Sequence, residues 1–420
     1  MNKNKNKFAE NFLKITLKIL KNANKGTPID SLLDETRGTL ESKAASDCIF
    51  QYFRHKGIVD YSIEQVLTKK TKNKFKDIIK IALVQALYQN GINAFAAVDC
   101  AVTFSKKKYG KNIAGLINAT LRSLLSVNFD EMINNAPEYV KFNIPEVVLK
   151  KWTKQFDYNT IKGISQAIQE QPQTSFRILK QDISINFEEF NCEKIKLPQW
   201  ADEYDFYQTN TPSVIFKNNW LDKALVYIQD PATVSPASFY QTKPNDIILD
   251  LCAAPGGKSM AILEKIETGL LIASDSSYLR QKRTAENLKN YIISNKAFIC
   301  ISSASNPAFQ DNIADCIILD VPCSNTGVAR KRPDALWNFS LQKLNRLLTI
   351  QQDILQASAS LLKQGGTLIY STCSIEEEEN RSQVNTFIQE NQEFTLVDER
   401  LLIPNKTHDG GYSALLVKST

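Results

Sequence analysis

The chain has 420 residues, 43% of them hydrophobic and 23% charged, a globular composition that excludes a mostly disordered or collagen-like protein. At ~150 residues per domain the length predicts two or three domains, and no apolar run approaches the ~18 residues of a membrane-spanning helix. Charge is uneven: residues 1–126 hold 22 Lys+Arg against 10 Asp+Glu, whereas the whole chain holds 51 against 45. A basic front on an acidic body points to a polyanionic partner. Lys14 and Lys18 interrupt the apolar residues of the basic N-terminus, so it does not read as a secretory signal. The eight cysteines have neither zinc-knuckle nor disulfide-framework spacing, which fits reduced thiols in a cytoplasmic protein.

Residues 1–128 read as helices. Apolar residues recur at helical spacing in Phe8, Phe12, Ile15 and Ile19, and again in Ile78, Ile81, Val84 and Leu87. Between these two stretches runs a series of lysines at 69, 70, 72, 74 and 76. Residues 129–235 read as a small α+β domain: a helix opens at Pro145, a second ends near Gln171, and strands are predicted at 174–178, 203–208 and 224–227. From 236 to 420 strands and helices alternate. Strands are predicted at 247–253, 270–274, 297–301, 316–320 and 367–372, and helices at 258–267, 278–291 and 341–363. A terminal hairpin is expected from 394–397 and 413–417. Such alternation predicts a mostly parallel, doubly wound sheet. Glu376–Glu379 reads as the first turn of a helix, where the helix dipole favours acids.

Three strand-end loops carry the chemistry. The first, Asp250-Leu251-Cys252-Ala253-Ala254-Pro255-Gly256-Gly257-Lys258, joins a strand to a helix. It is neither a Walker loop nor Gly-x-Gly-x-x-Gly, but its small residues let a ligand approach the backbone at the carboxyl end of a strand. The next strand ends at Asp275, where an acid can accept both ribose hydroxyls of a nucleoside cofactor. The second loop, Asp320-Val321-Pro322-Cys323-Ser324-Asn325-Thr326-Gly327, and the third, Tyr370-Ser371-Thr372-Cys373-Ser374, each place a cysteine directly after an apolar strand. Their chemistry would be nucleophilic, with Lys258 or the Arg330-Lys331-Arg332 cluster favouring a thiolate. The cluster could equally contact phosphates. Cys48, Cys100, Cys192, Cys300 and Cys316 read as small core residues. The residues alone leave open which of Cys323 and Cys373 attacks.

Together the three loops closely resemble the RNA cytosine carbon-5 methyltransferases of the RsmB/Nop2/Sun family. Gln229-Asp230, Asn287, Arg332-Pro333-Asp334 with Trp337, Asn380 and His408-Asp409-Gly410 extend the likeness. Ala97-Val98-Asp99-Cys100-Ala101-Val102 and residues 115–122 resemble the NusB-like front of the bacterial small-subunit ribosomal RNA branch. The resemblance implies an all-α NusB-like RNA-binding domain (1–128), a small α+β RNA-binding or connecting domain (129–235) and a C-terminal α/β Rossmann-like methyltransferase domain (236–420). It also implies S-adenosylmethionine as cofactor, RNA, chiefly small-subunit ribosomal RNA, as partner, and no metal; the sequence does not give the oligomeric state, for which a monomer is the favoured expectation. It assigns attack on the base to Cys373 and release to Cys323. Asp320 would hold the base's amino edge, and Lys258 would orient the loops. Cys252, Ala253, Ala254, Pro255, Gly256, Gly257, Lys258, Asp275, Arg280 and Asp320 would hold the cofactor. The pattern departs at Ile301–Asn306, which lacks the acid that usually holds adenine, and at Asn325, Val321, Leu179-Lys180 and Gly411-Tyr412-Ser413. A DNA cytosine methyltransferase and a non-catalytic ribosome-assembly or antitermination factor are the competing readings.

Overall fold

The computed structural model describes residues 3–36, 38–67, 70–179 and 185–419; Lys69 and Lys180 lie outside the described residues. The chain forms two compact units. The first comprises Met1–Glu170 with Ala329–Phe339, the second Gln171–Val328 with Ser340–Thr420.

The first unit is helical. Its main helices are Lys3–Ala23, Leu40–Arg54, Lys56–Val66, Asn73–Tyr88, Ala94–Tyr109 and Lys111–Ser126, followed by Glu146–Gln155 and Tyr158–Gln169. Local chemistry sets their ends. Thr39 and Asp157 cap helices by accepting from Ser42 N and Thr160 N, each satisfying a free first-turn amide. Gly110, at φ +88°, turns the chain between two successive helices, a conformation that glycine adopts without a Cβ clash. Lys106, Lys107 and Lys108 occupy the last turn before it, where cations complement the helix dipole. The core gathers Phe12, Ile19, Ile49, Tyr52, Ile78, Ile81, Val84 and Leu121. Phe8 and Leu87, expected on the same apolar faces, are instead exposed at 39% and 37%.

Two features of this unit were not expected. It extends past residue 128 to Glu170, so the helices over 146–169 belong with the helical unit rather than with the small sheet. It also takes in Ala329–Phe339. Within it, Trp337 Nε1 donates to Phe53 O (2.9 Å), Ile29 N donates to Asp334 Oδ2 (3.2 Å) and Arg54 Nη1 donates to Arg330 O (2.9 Å).

The second unit contains two sheets. The smaller is antiparallel, with β1 (Thr174–Ile178), β2 (Glu193–Lys194), β3 (Phe206–Thr209) and β4 (Val226–Ile228) in the order β2-β3-β1-β4. The larger contains β5 (Asp246–Asp250), β6 (Gly269–Asp275), β7 (Ala297–Ile301), β8 (Ala314–Asp320), β9 (Leu362–Thr372), β10 (Phe394–Leu402) and β11 (Gly411–Lys418), in the order β10-β11-β9-β8-β5-β6-β7. Strands β5 to β9 pair in parallel, whereas β11 runs antiparallel between β9 and β10.

Alternate side chains feed two cores, one on each face. Ile248, Ile318 and Ile369 belong to one, Leu249, Ile317, Leu319, Leu368 and Tyr370 to the other. Burial on both faces explains why these strands read as continuous apolar runs. The chain proceeds from β5 outward to β7, then returns to β8 on the other side of β5. That reversal opens the crevice at the carboxyl ends of β5 and β8 where doubly wound sheets bind ligands.

Glu376–Glu379 is not the opening turn of a helix. Glu377–Glu379 forms a short 3-10 turn, the helix runs from Arg381 to Glu390, and Glu376 and Glu379 are fully buried.

Candidate active site

The first loop leaves β5 at Asp250, whose side chain is fully buried. Ser259 Oγ donates to its Oδ2 (2.6 Å), and its Oδ1 meets no hydrogen-bond partner among the described residues. Burial pushes this carboxyl up to about 7, with Asp320 adding to the rise and the Ser259 bond opposing it. Ala253 N donates to Ser274 O (2.9 Å), which ties the loop to β6. Asn287 Nδ2 donates to Pro255 O (2.8 Å) and Gln229 Nε2 to Gly257 O (3.2 Å). Gly256 lies at φ +98°, and a Cβ there would stand 3.2 Å from Thr284 Cγ2; a Cβ on Gly257 would stand 3.0 Å from Gln229 Nε2. The turn is therefore bare backbone for steric reasons, and it opens the helix Gly257–Leu263.

At the end of β6, Asp275 receives Ser277 N (2.8 Å) and Arg280 Nη2 (2.9 Å), both on Oδ1. Its Oδ2 takes no protein donor among the described residues. A buried carboxylate with one oxygen anchored and one available beside a side-chain-free turn fits a nucleoside cofactor. Cys252 belongs to the same neighbourhood, its thiol raised by burial and by the charges of Asp250, Asp320 and Asp275. The stretch without the adenine-side acid is self-bonded: Ser302 Oγ accepts from Ala308 N (2.9 Å), and Ser303 Oγ stands 3.0 Å from Ser305 Oγ.

Lys258 and Asp320 meet across the β5–β8 crevice, Nζ to Oδ2 2.6 Å. Burial works against the lysine's charge, but Asp320, then Cys373 and Asp250, hold its pKa above the ordinary value. Register explains the meeting of the two cysteine loops. β8 and β9 are adjacent and parallel, with Asp320 opposite Ser371, so the residues just beyond each strand emerge side by side.

Cys323 Sγ stands 3.1 Å from Cys373 Sγ. Cys323 is 8% exposed; its hydrogen bond to Cys373 and its burial push its thiol well above the ordinary value. Cys373 is half-buried and lines a cavity of about 40 Å³ together with Lys258, Thr233, Asp409 and Tyr412. All eight cysteines are free thiols.

The loops are laced together. Gly327 N donates to Cys373 O (3.1 Å), and Gly410 N donates to Gly327 O (2.8 Å). A Cβ on Gly327 would fall 2.6 Å from the Gly410 backbone, so the close approach excludes any side chain there. Buried Glu379 receives Ser324 N (2.9 Å), Ser324 Oγ and Gln351 Nε2 (3.1 Å). Asn380 accepts from Thr372 Oγ1 (2.6 Å) and donates to Ser374 O (3.0 Å).

The structure thus brings Lys258, Asp320, Cys323 and Cys373 together, and separately Cys252, Asp275 and Arg280 around the glycine turn. It does not place the Arg330-Lys331-Arg332 cluster in this unit. Arg330 is buried in the helical unit, 4% exposed, and Arg332 Nε pairs with Asp30 Oδ2 at 3.2 Å. Arg330 is thus a structural part of the helical unit, whereas Arg332 is exposed.

Four supporting residues escaped the sequence. Asp250, Asn325 and Glu379 lay in segments read for other roles. Arg177 of β1 is fully buried; its Nε donates to Gln229 Oε1 (2.9 Å) and its Nη1 pairs with Glu264. The available signal was an arginine between Phe176 and Ile178 in a short strand.

Comparison with known proteins shows the family. Residues 237–415 match the family model described as 16S rRNA methyltransferase RsmB/F, and residues 7–126 match the NusB family. The chain is 32% identical over 383 residues to the ribosomal RNA small subunit methyltransferase B of Vibrio vulnificus strain YJ016, covering 84% of this chain and 86% of that protein. It is 27% identical over 377 residues to the probable ribosomal RNA small subunit methyltransferase B of Bacillus subtilis strain 168, covering 87% and 83%. The crystal structure of PH0851 shares the fold, with a TM-score of 0.75 at 18% identity over 97% of this chain and 99% of that one. With both parts matched and the likeness running along most of the chain, the protein belongs to the RsmB/F family of 16S ribosomal RNA methyltransferases.

Proposed function

We propose that this chain transfers a methyl group from S-adenosylmethionine to carbon 5 of a cytosine in small-subunit ribosomal RNA, through a covalent bond between Cys373 and carbon 6 of the base. The observation that carries the reading is the pair of thiols 3.1 Å apart at the ends of two adjacent parallel strands.

Carbon 5 of cytosine is a poor nucleophile until something adds to carbon 6. Cys373 is the more accessible thiol and lines the cavity beside Lys258, which suits it for that addition. The new sulfur–carbon bond pushes electron density onto the ring and activates carbon 5. S-adenosylmethionine, when bound, supplies an electrophilic methyl group. Gly256 and Gly257 would admit it close to the backbone, and Asp275 would accept its ribose hydroxyls. Asp320, anchored through Oδ2 by Lys258, would receive the exocyclic amine of the base. Cys323, after giving its own proton to solvent, would then take the carbon-5 proton as a thiolate, and the electrons of the C5–H bond would expel sulfur from carbon 6 and regenerate the Cys373 thiolate. A thiol pushed well above its ordinary value is a strong proton acceptor once ionised and a poor resting nucleophile, which suits release better than attack. Addition at carbon 6 needs an unstacked base, so loops or ends of RNA are the natural targets. The basic NusB-like part would supply phosphate contacts.

The test separates the two thiols. Cys373→Ala should abolish methylation and form no covalent complex. Cys323→Ala should transfer the methyl and stall, so a protein–RNA adduct that resists denaturing electrophoresis should accumulate and should need S-adenosylmethionine. The opposite pattern would reverse the roles; full activity in both variants would remove covalent catalysis.

A further inference from the structure

The thiol of Cys373 has a second neighbour besides Cys323. Its Sγ lies 3.0 Å from Asn325 Oδ1, at the position where the family resemblance leads one to expect a small residue. The same carboxamide donates from Nδ2 to Cys323 O at 3.0 Å. A backbone carbonyl only accepts, so it fixes which end of the amide faces it: the NH₂ turns to Cys323 O and the oxygen to Cys373. Backbone geometry supports the placement. Asn325 lies at φ +61°, a left-handed conformation that asparagine tolerates better than most residues, and its carbonyl accepts from Val328 N at 3.2 Å.

An amide oxygen can accept a proton in a hydrogen bond but cannot donate one. Beside a thiol it aims the S–H; beside a thiolate it presents a lone pair to a full negative charge. We propose that Asn325 is a positioning residue that holds Cys373 in its protonated form and so restrains the more accessible thiol of the pair. Its consequence for catalysis rests on Cys373 being the attacking thiol; the chemistry itself does not.

Other groups act on the same sulfur, and the test must hold them constant. Cys323 approaches from the same loop as Asn325, and Lys258 comes from the first loop, paired to Asp320. Asp409 and Tyr412, before and within β11, line the same cavity. Glu379 acts on the pair through Cys323. Lys258, Asp320, Asp409, Tyr412 and Glu379 keep their identity when residue 325 changes, whereas Cys323 loses the bond from Asn325 Nδ2 to its carbonyl in both variants.

The experiment is alkylation of the full-length protein by iodoacetamide, without RNA or cofactor, followed as a function of pH by mass mapping of the Cys373 peptide. Alkylation forms a sulfur–carbon bond, expels iodide and needs the thiolate, the proton going to buffer. Asn325→Gly keeps the backbone conformation and removes the acceptor. Its alkylation midpoint should fall by roughly half to one pH unit, the size expected for one hydrogen bond. The midpoint is the reading rather than the rate, because a less basic thiolate is also intrinsically less nucleophilic. Asn325→Asp keeps the shape and replaces the amide by an acceptor-only carboxylate; its midpoint should rise. A purely structural role would disorder the loop without moving the two variants in opposite directions. A glycine variant that melts with the native protein but titrates at or above the native midpoint would overturn the proposal, as would a lowered midpoint in the aspartate variant. The adduct experiment above can fail while this one succeeds, so the two readings are separable.

Discussion

Replacing Asp250 by asparagine should make the sheet unit more stable at neutral pH, although it removes a charged residue from the first strand-end loop. The carboxyl is fully buried and pushed up from 3.8 to about 7, chiefly by burial. The folded protein therefore binds this proton more tightly than the unfolded chain does. Stability from the group is fully present below pH 3.8 and is lost as pH rises through about 7. At ~1.36 kcal/mol per pKa unit, the cost is roughly 2 kcal/mol at pH 5 and about 4 kcal/mol at pH 8. Asparagine carries no charge at either pH, and its oxygen can still accept from Ser259 Oγ, which gives its hydrogen to Asp250 Oδ2 at 2.6 Å.

Urea unfolding of the native protein and Asp250→Asn at pH 5 and pH 8, read on the transition that reports the sheet unit, gives the comparison. The stability of the variant relative to the native protein should rise by about 2–3 kcal/mol between the two pH values. Using the change with pH rather than the absolute difference cancels whatever the new NH₂ group costs in packing. Parallel pH profiles, with a constant offset, would refute the argument, since they would mean that Asp250 ionises in the fold as it does in water.

Asp275→Asn should weaken S-adenosylmethionine binding by roughly tenfold or more, because it converts a charge-assisted acceptor into a neutral one; calorimetry on the full chain measures it, and an unchanged dissociation constant would remove the ribose assignment. Arg177→Met should destabilise the sheet unit by about 3 kcal/mol by stranding Glu264 and unpairing Gln229; since Gln229 holds Gly257 O at 3.2 Å, cofactor affinity should fall as well, and a variant that loses stability with unaltered affinity would disconnect the small sheet from the glycine turn.

Local signals in the sequence located the central strands because burial on both faces leaves an unmistakable apolar run. Strand β7 spans Ala297–Ile301 and β1 spans Thr174–Ile178, as their β-branched and aromatic content predicts. Where local and non-local forces diverge, the reading failed. Strand β9 starts at Leu362, although Gly365-Gly366 resembles a turn and the preceding helical pattern reads through Lys363. Pairing of Ala314 with Leu362, across a register shift before Cys316, extends the strand. Strand β2 is two exposed residues paired to β3 and has no periodicity to read. At the site, Asp320, Cys323 and Cys373 stood out because each lies at or just past the end of an apolar strand, and Lys258 because it opens the helix after the small-residue loop that follows β5. Glu379 and Asn325 act through the shape of a loop, and nothing in their spacing reports that shape.

The division of the chain carries a lesson of the same kind. A cut at residue 128 separates helices from mixed structure along the sequence, yet the helical unit owns Ala329–Phe339, the stretch that begins six residues after Cys323. Leu336 and Ala329 are each 1% exposed, and Arg54, itself buried, gives Nη1 to the carbonyls of Ile168, Glu170 and Arg330. Two segments distant in sequence from Arg54 thus converge on its guanidinium, whose pKa burial and the neighbouring Arg330 lower to about 10. Removing the first 126 residues would take away Arg54, Phe53 and Ile29, the partners of Arg330, Trp337 and Asp334, and leave an apolar stretch of the Cys323 polypeptide uncovered. The helical part is therefore not an appendage that can be trimmed from the methyltransferase sheet: the polypeptide crosses from the sheet unit into it immediately after the second strand-end loop and returns only at Ser340.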